Sequence, residues 1–101
     1  MNYDSVKTHL EAAHRILIRT GEELDLQNLA VYSAALSRKD WRTAISALEE
    51  SGASADCDGE FWVELLKVAR ELELPRYVAR IEKWVRSNEQ NAADTASPAT
   101  F

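Results

Sequence analysis

The sequence predicts an all-α fold, a compact bundle of about five antiparallel helices with a flexible C-terminal tail. Three observations carry this. Helix-forming residues dominate, and breakers are few, with three Gly and two Pro. No segment alternates apolar and polar residues with the period of two that a strand needs. Instead, apolar side chains recur at helical spacing in five successive stretches. At 101 residues the chain is one domain. A chain of this size buries roughly two thirds of its unfolded surface, enough for a core held by packing.

The first helix is expected from about Asp4 to Thr20, with Asp4 as N-cap and Val6, Leu10, Ala13 and Leu17 as its stripe. Gly21 is a suitable stop. Asp25 caps the second helix, whose face is read as Leu26, Leu29, Ala30, Ser33 and Leu36, with Val31 and Tyr32 alongside. "SRKD" closes it with cations suited to a helix C-terminus. Asp40 caps the third helix, in which Trp41, Ala44, Ile45 and Leu48 form an i, i+3, i+4, i+7 stripe and Gly52 is the expected end. After the polar loop "ASADCDGE", the fourth helix runs from about Gly59 to Glu73 with Asp58 as its cap. Its apolar face is the widest, so it should be the most buried helix. Pro75 opens the fifth helix, where its missing N–H is harmless. From Asn88 the chain loses its period and its large apolar residues, so the division expected is a helical domain over 1–87 and a flexible tail over 88–101. The expected core is Leu10, Leu17, Leu29, Leu36, Trp41, Ile45, Leu48, Phe61, Leu65, Val68, Ile81 and Trp84.

Composition narrows the function classes. The net charge is −5 and the pI about 5.0, against the basic balance of a nucleic-acid binder or of a protein held on an anionic membrane. No apolar run approaches the length of a membrane span, and no secretory leader is legible at the N-terminus. Cys57 is the sole cysteine and cannot close an intrachain disulfide. A reducing, cytoplasmic setting is therefore expected.

The candidate chemistry fails on spacing. His9 and His14 are five residues apart, about 140° around a helix, and cannot chelate together as an i, i+4 pair does. A calcium-loop alignment through Gly59 puts Leu65 where a bidentate carboxylate must stand. Cys57 lies between two aspartates, which disfavour a thiolate. There is no nucleophile-elbow pattern and no Gly-rich phosphate loop. The expectation is a protein that is not an enzyme and takes no cofactor and no metal.

One feature stands out by charge. Glu49, Glu50, Asp56, Asp58, Glu60 and Glu64 follow one another with no Lys or Arg between them. They are candidate partner-binding residues that steer a basic partner, with Trp62 as the anchor. The bland alternative is a solvated loop with acidic residues favoured at a helix start. Trp62 and Trp84 both lie beside apolar stripes, and whichever points away from the core is the one free to face a partner.

"LSRKDWRTAISALEESG" followed by "GEFWVELLKVARELEL" resembles small all-helical immunity proteins of bacterial polymorphic-toxin systems, including the Maf-type group. The shared pattern is a short charged turn, an aromatic residue before an Ala-Ile and Leu stripe, a Glu-rich helix end, and a following "FW" helix. Residues Leu36 to Leu74 carry it. The resemblance implies a non-catalytic cytoplasmic protein that binds one cognate toxin domain and blocks its active site, and it transfers no site residues. The same stretch also looks like one tetratricopeptide-type hairpin, without a second copy at the required spacing. That likeness supports the alternative of a helical adaptor or chaperone subunit that binds a partner peptide.

Overall fold

In the computed structural model, the described residues are 3–20, 24–55, 57 and 59–96, with side chains to Asn88. Five helices follow in order: α1 (Tyr3–Thr20), α2 (Leu26–Ser37), α3 (Trp41–Ala55), α4 (Gly59–Glu71) and α5 (Pro75–Ala96). No strand occurs among the described residues. The all-α reading therefore holds, and each expected helix is present.

Local signals explain most boundaries. The Asp25 carboxylate accepts from the Asn28 backbone N–H at 3.1 Å and caps α2. Asp40 does the same for α3 through Thr43 N–H at 3.3 Å. Hydrogen bonds from the Thr43 side chain and backbone hold the Asp40 carboxyl below its usual range, with Arg38 and Arg42 adding to them. Four boundaries differ from expectation. Asp4, expected as an N-cap, lies within the first turn of α1, and α4 ends at Glu71 rather than Glu73, which is left-handed. The third helix does not stop at Gly52 but runs on to Ala55, and α5 continues as helix past Asn88 to Ala96.

The helix α4 lies at the centre of the bundle. It packs against α1, α3 and α5, while α2 packs chiefly on α3. The wide apolar face allows this: Phe61, Trp62, Leu65, Leu66, Val68 and Ala69 are all buried. From α1 come Val6, Leu10, Ala13, Ile16 and Leu17, and from α3 come Ala44, Ile45, Ala47 and Leu48. Only one helix covers α5 extensively. Ile81 is its only fully buried apolar side chain among the described residues, with Tyr77, Val78 and Val85 half-buried.

That asymmetry corrects part of the expected core. Leu36 and Trp41 are half-buried, the Trp41 ring stacking on Tyr3 at 5.9 Å. Trp84 is 38% exposed. On α2 the buried residues are Leu29, Tyr32 and Ala35, whereas Leu26 is 74% exposed. The Asn28 side-chain amide sets this rotation: it donates to Ala47 O and to Ser51 Oγ, each at 2.6 Å. With Asn28 turned onto α3, Leu26 is carried outward.

The α2–α3 and α4–α5 hairpins share one turn. Lys39 N–H bonds Leu36 O and Asp40 N–H bonds Ala35 O. Glu73 N–H bonds Arg70 O and Leu74 N–H bonds Ala69 O, the same pattern 34 residues later. The left-handed residues are Lys39 (φ 60°) and Glu73 (φ 56°), as a Schellman stop requires. A second hairpin thus does stand at the tetratricopeptide spacing, contrary to the sequence expectation. It is not stacked as a repeat array, because α1 occupies the broad face of α4.

Candidate functional site

The acidic stretch is continuous in sequence and divided in space. Glu49 and Glu50 sit about 100° apart around α3. Glu49 points towards α5, where Arg80 grips it with two hydrogen bonds of 2.9 and 2.8 Å. The Arg80 guanidinium also lies 4.5 Å over the Tyr77 ring, and the Tyr77 hydroxyl is hydrogen-bonded to Ser46 Oγ. The bidentate carboxylate pushes the Arg80 guanidinium further above its ordinary value. Glu49, 15% exposed, is therefore a tie between α3 and α5 rather than a free steering charge. Glu50 is exposed and lines a different groove, with Asp25, Asn28 and Ser54.

Glu60 and Glu64 share one face of α4 and line a groove against α1, with His14, Arg15, Ile18 and Arg19. The His9 ring donates from Nδ1 to Glu64 Oε2 at 2.6 Å, and Lys67 reaches Oε1 at 3.3 Å. Burial alone would raise the Glu64 carboxyl, but the His9 and Lys67 bonds outweigh it and hold the group below its ordinary value. Glu60 pairs with Arg19 at 3.5 Å, both well exposed, a contact that adds little stability and leaves the carboxylate accessible.

Asp56 and Asp58 lie outside the described residues. Trp62 is 1% exposed, so the anchor role expected of it is corrected: its ring is core. It meets Phe61 edge-on at 4.9 Å and Trp84 face to face at 4.8 Å, with 6° between the ring planes. The indole that reaches solvent is Trp84. Of the five expected partner-binding residues that are described, Glu50 and Glu60 keep exposed carboxylates, Glu49 and Glu64 serve helix packing, and Trp62 is core.

Several features had no local signal in the sequence. The His9–Glu64 pair spans 55 residues. The His14 ring stacks on Tyr32 at 4.9 Å. The Tyr32 hydroxyl is buried with no hydrogen-bond partner among the described residues. Burial, with the Glu11 charge adding to it, pushes the phenol up to about 12. Burial also lowers His14 below its ordinary 6.5, although Glu11 pulls the other way.

These shifts set an acid limit on stability. A histidine with a lowered folded value favours the folded state fully above 6.5, and that margin is lost as pH falls through its folded value. Glu64 has the same sign below 4.5. Melting temperature should therefore fall in two stages on acidification. His14→Gln should flatten the first stage, which opens as pH falls below 6.5. Thermal melts of parent and variant at matched pH check this; equal slopes in that stage would rule out His14 as its source.

No family model matches the chain, and no curated protein or solved structure is significantly similar to it. Among the described residues, no helix is long and apolar enough to cross a membrane.

Proposed function

We propose that this protein is an immunity protein, binding a cognate bacterial toxin domain one to one and blocking it without catalysis. The observation that supports this most is that three carboxylates stay exposed at one end of the bundle, where α2 begins, α3 ends and α4 begins. Asp25 and Glu50 line one groove there, and Glu60 lines another beside Arg15 and its exposed partner Arg19. An acidic end of this kind complements the basic cleft of a toxin that acts on nucleic acids or nucleotides. Its charge acts mainly on encounter and specificity. The Leu36–Leu74 resemblance supplies the toxin as partner, and the acidic end supplies a way to meet it.

The recurrence of the hairpin turn after 34 residues favours a second reading, a helical adaptor that holds a partner peptide. Genetics separates the two. Deleting an immunity gene should be lethal only when the neighbouring toxin gene is intact, whereas deleting an adaptor gene shows no such condition. For the surface itself, Glu50→Lys combined with Glu60→Lys should slow association with the purified toxin domain about tenfold or more at low salt, with the helical spectrum unchanged. An unchanged rate would move the contact elsewhere on the molecule. Absence of conditional lethality would end the immunity reading.

A further inference from the structure

The outward face of α5 has the opposite character. Arg76, Arg80, Lys83 and Arg86 are exposed along it, and the one acidic residue between Arg76 and Ser87 is Glu82, half-buried and paired with Arg70 and Arg86. In a chain of net charge −5 this is a local reversal. On the side nearest α3, a groove is lined by Arg42 of α3 together with Arg76, Tyr77 and Arg80 of α5; Glu73 stands at its turn end. One helical turn further on from Arg80 lies Trp84, half-open to solvent. Its inner face rests flat on the buried Trp62 ring, so the indole is already held in place.

We propose that this α3–α5 face is a docking surface for an acidic segment of a partner protein, which seats an apolar side chain on Trp84 and carboxylates against Arg76, Lys83 and Arg42. Charge complementarity selects the occupant. A second copy of the chain in two-fold contact would bring like cations together. Nucleic acid demands a dense basic face, and here two of the cations are already neutralised, Arg80 by Glu49 and Arg86 by Glu82. Arg42, Arg76 and Lys83 have no carboxylate within ion-pair distance among the described residues, and Arg76 and Lys83 stand about 10 Å apart along α5. A few carboxylates on a protein segment match that spacing and number. A tryptophan held on a rigid support gives contact area with little ordering cost, as binding anchors do. This surface is distinct from the acidic end and does not rest on the immunity reading, so either can fail alone.

The test uses a synthetic helical peptide of about 14 residues with glutamates flanking two leucines, its lysine twin, and single-stranded oligothymidylate, each titrated calorimetrically into the full chain. The glutamate peptide should bind, and the lysine twin should not. Trp84→Ala should weaken binding at least about tenfold. Lys83→Glu should do so as well with the melting temperature unchanged, which separates loss of contact from loss of fold. The proposal is overturned if the glutamate peptide does not bind or binds no better than its lysine twin, or if Lys83→Glu leaves its affinity intact. It is also overturned if oligothymidylate binds more tightly than either peptide, or if sedimentation shows this face buried between two copies of the chain.

Discussion

Trp62→Ala should destabilise the fold by about 3–5 kcal/mol, a large part of the roughly 5–15 kcal/mol that holds a domain of this size together. The ring is almost fully enclosed and lies on α4, the helix that touches three others. Its removal opens a cavity between the edge-on Phe61 ring and the flat Trp84 ring, and neither can fill the space without leaving the other's position. Urea unfolding followed by circular dichroism should show a lower midpoint with an unchanged slope. Trp84→Ala is the comparison. It loses a half-exposed ring and should cost about 1 kcal/mol, the size of an aromatic pair contact. A Trp62→Ala variant no weaker than Trp84→Ala would contradict the assignment of one indole to the core and the other to the surface.

Gly52→Ala should also destabilise, by about 1–3 kcal/mol, although alanine is the better helix former. A Cβ at this position would stand 2.2 Å from Phe61 Cε2 and 2.7 Å from its Cζ. Contact between carbon atoms is favourable only from about 3.5 Å. Phe61 is fully buried, so its ring cannot swing aside. The propensity gain of about 1 kcal/mol is therefore outweighed by the overlap. Gly59→Ala provides the contrast, since among the described residues its new Cβ would meet only the Asn88 side chain, Cβ at 3.3 Å and Cγ at 4.0 Å. Thermal melts of the two variants should separate clearly, with Gly59→Ala close to the parent. Equal melting temperatures would mean that the α3–α4 contact yields more readily than its geometry indicates.

Gly52 illustrates how a local reading goes astray. A glycine after a helical stripe is read as a stop, because glycine commonly ends helices in a left-handed conformation. Here it serves close approach: the absent side chain lets α4 press an aromatic ring against α3. The partner in that contact lies nine residues away across the 56–58 link, beyond the reach of a periodicity argument. The repeated hairpin turn was hidden for a related reason. Ser37-Arg38-Lys39-Asp40 and Glu71-Leu72-Glu73-Leu74 share no pattern of side chains, yet their backbone hydrogen bonds coincide. The motif is written in main-chain groups, and both left-handed positions carry residues other than glycine.

The acidic stretch shows the same boundary for the functional site. Counting charges along the chain finds the run, but neighbours in a helix diverge by about 100°. Glu49 and Glu50 therefore point to different neighbours, and side chains distant in sequence, Arg80 and His9, claim Glu49 and Glu64.

The number and placement of helices, the α1 stripe and the broad α4 face are local properties. They follow from spacing, propensity and caps, and they were readable residue by residue. Which of two tryptophans faces inward, how α2 is rotated and which carboxylates remain free depend on how many neighbours each helix acquires. Burial is set by the whole packing arrangement: α4 is enclosed on three sides and hides Trp62, while α5 leans chiefly on one helix and leaves Trp84 at the surface.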